Sequence, residues 1–163
     1  MALEGFLDID GVEGESVKKG YEKKIEIMDF SWGATQSGTS QKGTGSGSGM
    51  ANVQDFSFSK YLDKTSPILF QALLIGTHFK SVKYTMRKVT GAAQLPYFSI
   101  VFEDLIVSSY QTGAGMGGDD QVHERLSLNF ARFKLEFQVQ DSKGGMLGKT
   151  TASWDIPKGT PVT

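Results

Sequence analysis

The residues best suited to chemistry stand singly in this chain, or in an order that does not serve the chemistry they suggest. "GAGMGG", Gly113 to Gly118, has the glycine spacing of a dinucleotide loop and follows an apolar strand. What comes next is Asp119, Asp120 and strand-like alternation. Phosphate binding needs a helix N-terminus and no adjacent like charge, so the stretch reads as a hairpin turn. "DIDGVEGE" gathers Asp8, Asp10, Glu13 and Glu15 but lacks the third early ligand and the terminal carboxylate of a calcium loop. His78 and His123 have no second histidine near them in sequence, and a zinc site needs three or four converging ligands. Glu103 and Asp104 are neighbours on a strand and are expected on opposite faces, which rules out a catalytic pair. The Ser37 to Gly49 segment lacks the Gly-Lys-Ser/Thr ending of a phosphate loop, and no serine stands in a nucleophile elbow. The expectation is no catalytic residue, no metal and no cofactor.

The elements that hold these residues are mostly strands, because short apolar runs alternate with polar residues between glycine-rich turns. Strands are expected at about 3–9, 24–31, 52–62, 81–88, 97–109, 125–139 and 151–156. In "SVKYTMRK", Val82, Tyr84 and Met86 share one face while Lys83, Thr85 and Arg87 share the other, as in a sheet half buried and half wet. The run from Leu126 changes phase: Leu126, Leu128 and Phe130 have one parity, Phe133, Leu135, Phe137 and Val139 the other. A β-bulge near Asn129 to Ala131 would keep both sets on the core face. Closure solves the edge problem for such strands, so the predicted fold is mainly β, a small barrel or sandwich with one helix.

That helix is "SPILFQALLIG", with Ser66 as N-cap, Pro67 in the first turn and Gly76 as C-terminal cap. Leu69, Phe70, Leu73 and Leu74 form one broad apolar arc, expected to pack on the chain's own sheets, and Ile68 and Ile75 sit nearly opposite. The run is too short for the ~18 residues of a membrane span. Its second apolar side must be covered by its own domain or by a neighbouring subunit.

The 163 residues fit one domain, 1–163, in which Ser37 to Gly49 is a long loop joining two strands. A net charge of −1 argues against a nucleic-acid surface and tolerates self-association, and the absence of cysteine excludes disulfides and thiolate metal sites. The amino end, "MALEGFLDIDGVEGES", has acids where a secretory signal carries basic residues, so synthesis in the cytoplasm is expected, with export by another route.

In order along the chain, "FLDIDGVEGES", "FSWGATQSG", "VQDFSFSKYLDKTSP", "KYTMRKVTG", "LIVSSYQTG" and "LNFARFKLEF" resemble the haemolysin-coregulated protein family, Hcp, of bacterial type VI secretion. "WDIPKGTPVT" matches least well. The resemblance implies a β-barrel of two sheets flanked by one short helix, a homohexameric ring, and rings stacked into a secreted tube. Its implied partners are further copies of the chain, a tube-tip spike protein, a contractile sheath and effectors carried in the lumen, with no nucleic acid and no membrane insertion. It also implies that Ser31 and Trp32 lie in a stretch facing the lumen, that Ile68 and Ile75 meet a neighbouring subunit, and that Gly43, Thr44, Gly45, Ser46 and Gly47 lie where rings stack.

Two rivals belong to other classes: a monomeric β-barrel that binds a small apolar ligand inside, and an enzyme such as an acid-dependent hydrolase. Bulky residues on both faces of Tyr97 to Ser109 favour a filled interior over a cavity.

Overall fold

The computed structural model of the chain describes residues 2–36, 51–89, 96–118, 121–140, 143 and 145–162. The elements in chain order are β1 (Ala2–Ile9), β2 (Ile25–Ile27), β3 (Asp29–Ser31), β4 (Ala34–Gln36), β5 (Ala51–Val53), β6 (Phe56–Tyr61), α1 (Thr65–Ile75), β7 (Phe79–Val89), β8 (Pro96–Gly113), β9 (His123–Gln140) and β10 (Met146–Asp155). The mainly-β expectation with a single helix therefore holds for the described residues. The expected strand at 24–31 is divided at Met28 and the one at 52–62 at Gln54 and Asp55, while β4 went unpredicted.

Eight strands form one sheet in the order β2-β1-β7-β8-β9-β6-β3, with β10 on β9, and β4 and β5 pair separately. Every pairing is antiparallel. The path of paired strands is open, with β2 at one end and β3 at the other, so the ladder by itself is not the closed barrel expected. The two ends are nonetheless consecutive in the chain, separated by Met28, whose N–H donates to the Ser59 carbonyl on β6 at 2.8 Å.

One face of this sheet builds the core. Alternation along β1, β7, β8 and β9 places Leu7, Val82, Tyr84, Ile100, Phe102, Leu126 and Leu128 on that face, all buried. Phe56 and Phe58 on β6 join them, with Phe56 against Phe102 at 4.9 Å and against Tyr84 at 5.5 Å. Each buried aromatic or aliphatic side chain stabilises the fold by ~1.5–3 kcal/mol. Gly14 admits a close crossing: a Cβ there would stand 2.3 Å from the Lys24 carbonyl oxygen.

The phase change in β9 holds for Phe133 and Leu135, which pack partly buried against the core, whereas Phe137 and Val139 remain exposed, and its cause differs from the expected bulge at Asn129 to Ala131. Register is kept from Phe102↔Phe133 to Leu105↔Phe130, and both strands turn two successive residues outward between these pairs. Asp104 takes a left-handed φ of 52°, and the Ala131 carbonyl accepts from the Ile156 N–H at 2.9 Å. Glu103 and Asp104 are consequently both exposed, which corrects their expected placement on opposite faces. The register shift lies further along, between Val107 and Ser109.

The face of β7 expected to be wet is partly covered. Thr85 and Arg87 are buried, and the ring of Tyr21, from the segment before β2, stacks on Phe6 at 4.2 Å. The Arg87 guanidinium carbon lies 5.1 Å from the Phe6 ring centre and 4.8 Å from that of Tyr21, and Arg87 Nε donates to Glu4 at 2.8 Å. Hydrogen bonding from Lys18, joined by Arg87, outweighs partial burial and holds the Glu4 carboxyl below its ordinary range.

Candidate functional site

The residues with chemical potential are dispersed on the fold. Asp8 pairs with Lys24 at 2.9 Å and Glu13 with Lys23 at 3.8 Å. His78 Nδ1 lies 3.2 Å from Asp104, whereas the His123 ring lies against Tyr61. Glu103 meets Arg132 at 3.8 Å. These are surface pairs, each with its own partner, and the surfaces of the fold carry more information than any cluster of reactive groups.

The first surface is the outer side of α1. The helix starts at Thr65, two residues before the expected Pro67, and Ser66 is not its cap. Asp63 Oδ1 instead accepts from the Thr65 N–H at 2.9 Å, while the Ser66 hydroxyl accepts from Lys60 Nζ at 3.1 Å and from the Asp63 N–H at 3.0 Å. At the other end Gly76, with φ 76°, closes the helix as expected, donating to the Ala72 carbonyl at 2.9 Å.

The anchor under the first turn sets the rotation of the helix. Lys60 and Glu124 face one another in register on β6 and β9, and Lys60 Nζ lies 2.6 Å from Glu124 Oε2, both side chains fully buried. A buried ammonium has to be paired and hydrogen-bonded, and Glu124, Asp63 and Ser66 supply that need. Burial raises the Asp63 carboxyl, but the hydrogen bonds from Thr65 and Lys60 prevail and leave it below its ordinary range. Tyr110 donates to Glu124 Oε1, and burial together with that bond pushes its hydroxyl up to about 12.

With Ser66 held inward, the sheet-facing side of α1 is Thr65, Ser66, Leu69 and Ala72, with Leu73 half buried beside them. This corrects the broad-arc expectation: Phe70 remains 44% exposed, its ring 4.9 Å from that of Tyr110, and Leu74 is 68% exposed. Ile68 and Ile75 are outward as expected, 48% and 69% exposed. The outer side of α1 exposes Ile68, Phe70, Leu74 and Ile75, with Gln71 among them.

The second surface holds Ser31 and Trp32. Trp32 is half buried: its Nε1–H donates to the Gln54 carbonyl at 2.9 Å, and its ring meets Phe133 edge-on at 4.9 Å and Phe102 at 5.5 Å. Ser31 is exposed and pairs with Ser57, which pairs with Ser127, which pairs with Ser109. A row of hydroxyls thus crosses β3, β6, β9 and β8 on the side opposite the core. Ser127 Oγ lies 2.6 Å from both Ser108 Oγ and Ser109 Oγ, and Ser108 donates to Asp55 at 2.7 Å. The expected stacking residues Gly43, Thr44, Gly45, Ser46 and Gly47 lie outside the described residues.

Against this geometry, the sequence pattern of one protein family, described as the type VI secretion system effector Hcp, matches residues 6–137. The chain belongs to the Hcp family. It is 41% identical over 157 residues to protein hcp1 of Pseudomonas aeruginosa, with 96% of each chain covered. Among solved structures, Hcp1 from Salmonella typhimurium superposes with a TM-score of 0.81 at 31% identity, over 99% of this chain and 100% of that one. A structure described as a type six secretion system protein gives a TM-score of 0.92 at 27% identity, over 99% of this chain and 100% of that one. The Hcp resemblance drawn from the six motifs is therefore correct, and it places the chain in the type VI secretion system. No helix among the described residues is long and apolar enough to cross a membrane.

Sequence reasoning missed the Lys60–Glu124 pair, although its signal was present. Lys60 follows Phe56 and Phe58 at period two, and Glu124 precedes Leu126 and Leu128 in the same way, so both charges were already on the core face.

Proposed function

We propose that the chain is the tube subunit of a type VI secretion system: a closed barrel, with its seam at Met28, that forms a homohexameric ring and stacks into a secreted tube. The observation carrying this reading is the apolar outer side of α1, where Ile68, Leu74 and Ile75 lie exposed on a chain of the Hcp family. Several large apolar side chains exposed together on one short helix mark a protein contact, and a further copy of the chain covers them. Ile68 and Ile75 are its central contacts.

In this reading Ser31 looks into the lumen at the start of the hydroxyl row, and Trp32 fixes the strand that presents it. Ser31, exposed at the end of the row, offers a neutral hydrogen-bonding group suited to holding polar effector surfaces weakly enough for release, while Ser127 within the row is buried. The glycine-rich loop at 37–49, with Gly43, Thr44, Gly45, Ser46 and Gly47 at its centre, orders where rings meet. The spike at the tube tip and the contractile sheath are further partners. The protein is made in the cytoplasm, leaves by the type VI route, and acts as an assembly component in effector delivery and virulence, not as an enzyme. All 163 residues work as a single Hcp-like unit.

Light scattering at micromolar concentration tests the central point. A mass of a hexamer supports the ring, and a monomer across that range removes it. The rival reading of an apolar ligand inside a monomeric barrel is disfavoured by the aromatic filling around Phe56, Phe102 and Trp32.

A further inference from the structure

We propose that the groove on the outer face of β1, β7 and β8 is a binding site for a small aromatic carboxylate. The inference stands apart from the tube reading, because every residue it uses belongs to one subunit and a monomer would carry the same groove.

Strand register lays down the floor. Phe6 faces Thr85, Thr85 faces Ser99 and Ser99 faces Glu136, and this row lies on the side of the sheet opposite the core. The segment before β2 brings Tyr21 onto Phe6 and sets Lys19 and Lys24 along one side of the groove, and Met146 of β10 also lines it. The space between them has a volume of about 480 Å³, within the range of small-molecule sites.

Two features define the ligand. The first is an aromatic wall: the Tyr21 and Phe6 rings are stacked, and Arg87, only 3% exposed and bonded to Glu4, holds its guanidinium over both. Phe98 adds a third ring to the lining. A flat ring packs on such a wall at little entropic cost. The second is charge. Lys24 is paired with Asp8 at 2.9 Å, and Glu136 is approached by Lys134 at 3.4 Å and Lys149 at 3.7 Å. Lys83 faces Asp8 in register, yet neither it nor Lys19 makes an ion pair among the described residues, and both are exposed. The groove thus keeps surplus positive charge beside the Thr85 and Ser99 hydroxyls, a set that receives a carboxylate through charge-assisted hydrogen bonds. Asp8 and Glu136 on the same lining oppose a second negative charge, so a carboxylate fits better than a phosphate dianion.

The test uses the whole protein with its methionine methyl groups labelled for NMR, titrated with naphthalene-2-carboxylate. Met146 lines the groove, whereas Met28 and Met116 do not, so a saturable shift of the Met146 methyl with the other two unmoved is expected. Lys19→Gln with Lys83→Gln should weaken binding by about tenfold or more, the loss that follows from removing a charged hydrogen-bond partner, while Lys158→Gln, outside the groove, leaves it unchanged. 2-Naphthylmethanol, acetate and 2-naphthyl phosphate should each bind more weakly than the carboxylate. No saturable shift at Met146, equal shifts at Met28 and Met116, or an unchanged affinity in the double lysine variant would overturn the site. Equal or tighter binding of the alcohol, the acetate or the phosphate would overturn the aromatic carboxylate as its ligand.

Discussion

Lys60 Nζ and Glu124 Oε2 lie 2.6 Å apart beneath the first turn of α1, with neither side chain exposed. The pair bonds β6 to the helix as well as to β9, because the same ammonium donates to Ser66 and Asp63. Desolvating two charges is costly, and the geometry offsets that cost only while both are present.

Lys60→Met is accordingly expected to destabilise the protein by about 3–5 kcal/mol, by leaving the Glu124 carboxylate unpaired in the core. Lys60→Met with Glu124→Leu should recover most of that loss. Urea unfolding of the single and double variants measures both; losses that simply add would show that the two groups are not coupled.

The Tyr110 hydroxyl, raised to about 12, gives an alkaline counterpart. A group with a raised folded-state pKa contributes stability that is fully present below its unfolded value of ~10 and is lost as pH rises through the folded value. Between about pH 10 and 12 the unmodified protein should lose stability more steeply than Tyr110→Phe. Denaturant midpoints across that window decide it, and parallel curves would detach Tyr110 from the alkaline loss.

Most strands were legible in the sequence, because alternation in stretches such as Val82 and Tyr84 marks a core face without reference to partners. The orientation of α1 was not. A helix apolar nearly all round has no preferred side, and a polar contact, Ser66 on Lys60, set its rotation. The covering of Arg87 was equally hidden, since it depends on the segment bearing Tyr21 folding back across β7 from 66 positions earlier in the chain. The hydroxyl row containing Ser31 needed the register of four strands, which local alternation does not specify.

Trp32 and Ser31, adjacent in sequence, should separate stability from cargo. Trp32→Ala removes a half-buried ring and its bond to the Gln54 carbonyl, and is expected to cost about 3–5 kcal/mol. Ser31→Leu, at an exposed position, should leave the unfolding midpoint within about 0.5 kcal/mol of the parent while altering which effectors are retained by the ring. Thermal unfolding together with pull-down of effectors by each variant reads both effects. If Ser31→Leu retained effectors unchanged, Ser31 would not face the lumen.

The helix offers the sharpest division between fold and assembly. Leu69 is 0% exposed and packs in the core, so Leu69→Asp places an unpaired carboxylate where a side chain worth ~1.5–3 kcal/mol of burial had been, and folding should fail. Ile75 and Ile68 are 69% and 48% exposed, so an aspartate at either position stays hydrated in the isolated subunit. Ile75→Asp and Ile68→Asp are expected to keep the circular dichroism spectrum and unfolding midpoint of the parent while the native mass falls below that of the ring. The outward position of Leu74, which the sequence had assigned to the core, extends the same expectation to Leu74→Asp. An unchanged ring mass in all three outward variants would show that α1 faces solvent in the assembly, and the subunit contact would have to be sought elsewhere on the chain.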